Sequence, residues 1–375
     1  MAPRAHRVAM RGWALALLLT AAPAWAQRQP PSARFDQLAA AATEARRAGR
    51  FDQALALYHR ALSVRPDWAE GWWYVGTLLY ERDLFAEAAT AFARAAALDP
   101  KVGTAWVMLG LCEFKLGRHE EALAHIQRGR RLGTVADPQL KRVMLYHEGL
   151  LLIGKGEFES ARQTLGLLSR DGVENEELIT ALGLAALNLR FAALLADEAR
   201  VVQLVRRVGW AEHLAAQRRL PEALDAYQRI AADFPSERNV NYAVGRFLFE
   251  IRDNDNAARA FERELRLSPE HVAARLALAT IKASVDPQQA LRYAEEAVQL
   301  DPRIPLGHYL LGSLLIEAGQ IERAIAELEV ARRALPQEAR IYFALARAYT
   351  RARRPQEAER ALATFRRLSE AAGAR

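Results

Sequence analysis

The chain has 375 residues, of which 51% are hydrophobic and 26% charged, with a formal net charge of +7. Ala, Leu, Arg and Glu are plentiful and β-branched runs are scarce, which argues against a β-rich fold and predicts an all-α protein. The single cysteine, Cys112, excludes an intrachain disulfide, so stability has to come from packing.

The first residues read as an address. Residues 1–11 carry Arg4, Arg7 and Arg11 with no acid, residues 12–22 form an apolar run too short to span a bilayer, and Ala24-Trp25-Ala26 has the small-x-small form of a cleavage site. An uncleaved N-terminal anchor is the alternative; a lipoprotein anchor is excluded because no cysteine follows the run. The mature chain is therefore expected to begin near Gln27, with no transmembrane span, in the periplasm or outside the cell. Losing three arginines leaves a charge of about +4 spread among many acids, and without a dense basic run no nucleic-acid partner is expected.

Beyond a short lead-in, helical patterns alternate with turns. Residues 71–100 give the unit in its clearest form: Trp72, Val75, Gly76 and Leu79 repeat at helical spacing, Glu81-Arg82-Asp83 breaks the pattern, Ala88, Phe92 and Ala95 resume it, and Asp99-Pro100 stops it. Two short amphipathic helices of this kind cannot bury their apolar faces alone. The small residue after the turn recurs at Ala54, Ala88, Ala122 and Ala161, then at Ala223, Ala257, Ala290, Ala324 and Ala358, with a spacing of 34 or close to it. Pro66, Pro100, Pro235, Pro269, Pro302 and Pro336 close the units.

A 34-residue period with a Leu-Gly pair, a small residue, an aromatic and a terminal Pro resembles the tetratricopeptide repeat (TPR) family. Trp72, Val75-Gly76, Ala88, Phe92, Ala95 and Pro100 carry the pattern, as do Trp106, Leu109-Gly110, Phe114 and Ala122. The resemblance implies a right-handed α-solenoid of antiparallel helix pairs. Glycines such as Gly76 and Gly110 are expected where partner helices cross, and Tyr58, Phe92, Tyr227 and Phe261 between repeats. The domain reading is residues 1–26 signal peptide, 27–34 linker, 35–170 N-terminal repeats, 171–203 a degenerate repeat with a shortened second helix, 204–368 C-terminal repeats and 369–375 a frayed tail.

Several chemical motifs fall away on inspection. Residues 149–155 fit the start of a phosphate-binding loop, but Gly156 stands where Ser or Thr must hold Mg²⁺, and the segment ends a helix instead of following a strand. The eight histidines are scattered, with no metal-ligand spacing and no locally assembled nucleophile, base and acid. Cys112, inside Leu109-Gly110-Leu111, reads as a small core residue. No cofactor, no metal and no enzymatic activity are expected.

What remains is binding. In a TPR-like solenoid the first helix of each pair lines the concave groove. Registering the pairs places Trp73, Tyr80, Leu111, Tyr146, Tyr242, Phe249, Tyr309 and Phe343 toward it, some of them expected to pack between neighbouring first helices instead. Arg246, Arg340, Arg347 and Arg351 add positive charge near the end. The Lys and Asn positions with which some TPR proteins grip a terminal carboxylate carry Ala39, Thr43, Thr77 and Val107, so that clamp is not implied. The expected function is a non-catalytic envelope scaffold that binds a protein or peptide partner. Alternatives are an accessory subunit of a glycan- or peptide-processing enzyme, and self-association through the C-terminal repeat, whose last helix carries Ala358, Ala361, Leu362, Phe365 and Leu368 on one side.

Overall fold

The computed structural model describes residues 33–195 and 199–373. The expected signal peptide, residues 27–32 of the expected linker, residues 196–198 and residues 374–375 lie outside them. Every regular element among the described residues is a helix.

The helices come in antiparallel pairs: α1 (Ala33–Arg47) with α2 (Phe51–Val64), α3 (Ala69–Tyr80) with α4 (Phe85–Leu98), α5 (Gly103–Lys115) with α6 (His119–Leu132), and α7 (Pro138–Lys155) with α8 (Phe158–Arg170). There follow α9 (Glu176–Ala186) and the four-residue α10 (Ala192–Leu195). Pairing then resumes with α11 (Ala199–Ala216) and α12 (Leu220–Asp233), α13 (Val240–Glu250) and α14 (Asn254–Leu267), α15 (Val272–Lys282) and α16 (Pro287–Leu300), α17 (Pro305–Glu317) and α18 (Ile321–Ala334), and α19 (Ala339–Arg351) and α20 (Pro355–Gly373).

The boundaries differ from expectation in three places. Helix α1 starts two residues inside the expected linker, and α11 occupies residues 199–203, which the sequence reading gave to the degenerate repeat. Helix α20 runs through the expected frayed tail as far as Gly373, because Ser369-Glu370-Ala371-Ala372 is compatible with continued helix. Chain contacts divide the molecule into two units. Among the described residues, one holds 33–185 together with Leu189–Leu195, and the other holds Ala186–Asn188 and 199–373.

The repeated residue types have repeated physical jobs. Ala54, Ala88, Ala122, Ala161, Ala223, Ala257, Ala290 and Ala324 are all fully buried, since two helix backbones approach closely only where side chains are small. The Phe92 ring lies over Gly76 so closely that an added Cβ would sit 2.7 Å from it. A second device ties four of the pairs to the stop proline before them. Trp72 Nε1 donates to the Pro66 carbonyl (2.9 Å), Trp106 Nε1 to that of Pro100 (3.1 Å), His308 Nε2 to that of Pro302 (2.9 Å) and Tyr342 Oη to that of Pro336 (2.9 Å). One first-helix position thus satisfies the carbonyl that the stop proline leaves open. In α13 and α15 the same position holds Asn241 and Arg275, which bond instead to Arg263 (3.1 Å) and Glu296 (2.8 Å) on their own second helices.

The turn within every pair but α15–α16 contains one left-handed residue. Gly49, Gly117, Gly156 and Gly319 fill that slot, but so do Asp83, Arg218, Arg252 and Arg353. Gly156 therefore ends α7 as a left-handed C-cap (φ 85°), and residues 149–155 are helix, with no loop to cradle a phosphate.

Candidate binding surface

In the first unit, the proposed groove positions are largely consumed by packing. Trp73 is 1% exposed and meets Phe92 edge-on at 5.4 Å, and Leu111 is also 1% exposed. Both are core residues, and their assignment to the groove is corrected accordingly. Tyr80 and Tyr146 are half-buried. Tyr80 contacts Phe85 at 5.3 Å, and burial, then Cys112 and Asp83, raise its phenol. Tyr146 stands edge-on to His147, and burial and then Glu177 push its phenol up to about 12. Next to it Glu148 is fully buried where other first helices carry Val75, Leu109 or Val244. Arg130 Nη1 approaches it to 3.3 Å without an aligned hydrogen bond. Desolvation raises the Glu148 carboxyl, with Arg130 opposing.

The second unit leaves more on the surface. Tyr242, Leu276, Tyr309 and Phe343 occupy one repeat position on α13, α15, α17 and α19, at spacings of 33 or 34 residues. Helices α15, α17 and α19 lie side by side, and Tyr242 reaches His271 at the head of α15, with ring centroids 4.5 Å apart. Tyr242, Leu276 and Tyr309 are half-buried; Phe343 is 46% exposed against Phe365. Leu306, one turn before Tyr309, is 44% exposed. Its helical register with Tyr309, two residues after Ile304, was the available sequence signal. Phe249, on α13, is half-buried.

The arginines divide. Arg246 is 9% exposed, bonds to Glu212 on α11, and lies 3.1 Å from Glu250; Glu212 also accepts from the Tyr227 hydroxyl. Arg246 is thus committed to an internal network, which corrects its place among groove residues. The sequence carried the hint, because Glu212 and Arg246 stand 34 residues apart at the same repeat position. Arg347 is exposed and donates to Glu317, which Arg351 also approaches at 3.4 Å. Arg340 lies 3.0 Å from Glu338, with its guanidinium over the Tyr309 ring at 5.4 Å.

This is the architecture of a helical-repeat protein whose surface character is set by the first helix of each pair. Sequence profiles of the tetratricopeptide repeat match residues 39–102, 76–137 and 208–271, and, with a second profile, 282–342 and 315–367, covering more than half of the chain. The chain belongs to the tetratricopeptide-repeat family, whose members bind protein or peptide partners and are typically non-catalytic scaffolds.

No curated protein matches the sequence. Solved structures with similar helix pairs include MamA from Desulfovibrio magneticus RS-1 (20% identity, 44% of this chain, 94% of that one, TM-score 0.41). They also include YrrB, described as a TPR protein with an unusual peptide-binding site (20%, 44%, 84%, 0.39). Yeast Tom70 aligns over 89% of this chain and 85% of its own, at 14% identity and a TM-score of 0.38.

Proposed function

We propose that this protein is a non-catalytic scaffold of the cell envelope that holds a partner protein through a peptide segment laid across the first helices of its second unit. The observation that carries the reading is the row of large apolar side chains at Leu306, Tyr309 and Phe343, which remains at least partly open to solvent on adjacent helices. Aromatic rings supply contact area at low entropic cost, and a row of them suits an extended or helical peptide. The export part of the reading is supported by the charged, apolar and small-x-small order of residues 1–26.

Both parts are open to test with the full-length chain carrying a C-terminal tag. Purified from envelope extract, the wild-type chain is expected to retain a partner that the Tyr309→Ala/Phe343→Ala chain loses while remaining folded, its melting temperature lowered by no more than a few degrees. Retention of every partner by the double variant would count against the surface. Mass spectrometry of the mature N-terminus is expected to find Gln27; an intact N-terminus in a cytosolic fraction would remove the export reading.

A further inference from the structure

The first-helix face of the second unit is electrically polar. At its α11–α13 end the buried Glu212 and Arg246 neutralise each other, and Glu250, 43% exposed, is the carboxylate left facing solvent. Helix α15 and the turn after it offer Ala273, Leu276, Thr280 and Ser284 at the equivalent places, none of them charged. At the α17–α19 end the balance reverses. Arg340, Arg347 and Arg351 face two carboxylates, Glu338 and Glu317, and Glu317 is shared by Arg347 and Arg351. The hydrogen bond from Arg347 holds the Glu317 carboxyl below the usual range, so it stays charged and pairs with both Arg347 and Arg351.

The three guanidinium side chains are 53%, 42% and 44% exposed. Each has five N–H donors in a planar fork suited to carboxylates. Arg347 spends one on Glu317, and Arg351 spends others on Glu317 and the Ile316 carbonyl. Residues 340, 347 and 351 share one face of α19, with Phe343 among them. From Arg340 to Arg351 the helix rises about 16 Å, farther than one carboxylate can bridge.

We infer that the α17–α19 end of this face binds an acidic segment of a partner protein, its apolar side chains against Leu306, Tyr309 and Phe343 and its Asp or Glu side chains against Arg347, Arg351 and Arg340. The inference rests on the proposed peptide-binding reading and adds the charge of the ligand. It also gives the ligand a direction, because an acidic end placed at α13 would meet the exposed carboxylate of Glu250. The spread of the arginines selects a cluster of acidic side chains over a single chain terminus.

A random-peptide library displayed on phage tests this with the full chain immobilised, since the displayed peptides continue into coat protein and offer no free terminal carboxylate. The expected result is enrichment of Asp and Glu beside Leu, Phe or Tyr. A synthetic recovered peptide, amidated at its end, should lose at least about tenfold in affinity against Arg347→Gln/Arg351→Gln and weaken as salt rises. The Arg347→Glu/Arg351→Glu/Glu317→Arg chain should instead select basic peptides; the glutamine pair serves if that reversal fails to fold. Recovered peptides without acidic bias that still require Tyr309 and Phe343 would overturn the inference and leave the groove reading standing. Peptides indifferent to all four side chains would overturn both.

Discussion

One repeat position meets two fates. In the first unit it holds Trp73 on α3 and Tyr146 on α7, and in the second Tyr242, Tyr309 and Phe343. Trp73 is closed off against Phe92 at 1% exposure, whereas Phe343 stands 46% exposed against Phe365. The position alone does not decide whether an aromatic is core or surface; its neighbours do. In the first unit Phe92 fills the space that Gly76 vacates and gives Trp73 a ring to close on. In the second unit the last first helix, α19, has α17 on one side, and its arginines stay in water while Phe343 lies between.

The comparison can be broken most forcefully by truncation. Trp73→Ala is expected to cost about 3–5 kcal/mol, and Phe343→Ala no more than about 1 kcal/mol because much of the ring is already wet. Denaturant unfolding of the two variants gives both figures, and equal losses would erase the distinction. Gly76→Leu is expected to cost about 1–3 kcal/mol by driving a side chain into the Phe92 ring, read as a lower melting temperature.

A pH series sharpens the picture of the first unit. Burial raises the Glu148 carboxyl, so the folded chain holds that proton to higher pH than the unfolded chain. This contribution is complete below the ordinary carboxylate range and is lost as pH rises through the raised value. Glu148→Gln should therefore match wild type in acid and become more stable than it near neutrality. A constant difference between the two melting curves at every pH would show that Arg130 compensates the charge. The smallest effect concerns the turns. Three of the four in the first unit use Gly in the left-handed slot, whereas the second unit uses Arg218, Arg252 and Arg353 beside the single Gly319. Arg252→Gly is expected to gain on the order of 0.5 kcal/mol by relieving the left-handed strain, net of the added chain entropy. The matching Gly117→Arg should lose a comparable amount in the same melting assay.

Much of the fold was legible in the sequence because it repeats. Ala54 to Ala324 mark helix crossings, and a 34-residue period made the pairs countable before any coordinates. The left-handed arginines were not legible, since no local pattern announces them. Burial at the groove positions was legible only in part. Trp73 and Leu111 face the same way in the repeat as Tyr309 and Ser313, and the difference lies in which rings and helices come against them. Arg246 was hidden for another reason, because its partner Glu212 belongs to the preceding pair. A comparison of equivalent positions 34 residues apart would have found that ion pair.

The central claim is that the partner lies on the first-helix face of the second unit and that the second-helix side serves packing. Photo-crosslinking in living cells tests it most directly, with benzoylphenylalanine placed at Phe343 in one chain and at Leu267 in another. Leu267 is 37% exposed near the end of a second helix. The account predicts that position 343 captures a partner and position 267 does not, and that Arg347→Gln/Arg351→Gln abolishes the capture. Capture from position 267 with none from 343 would contradict it.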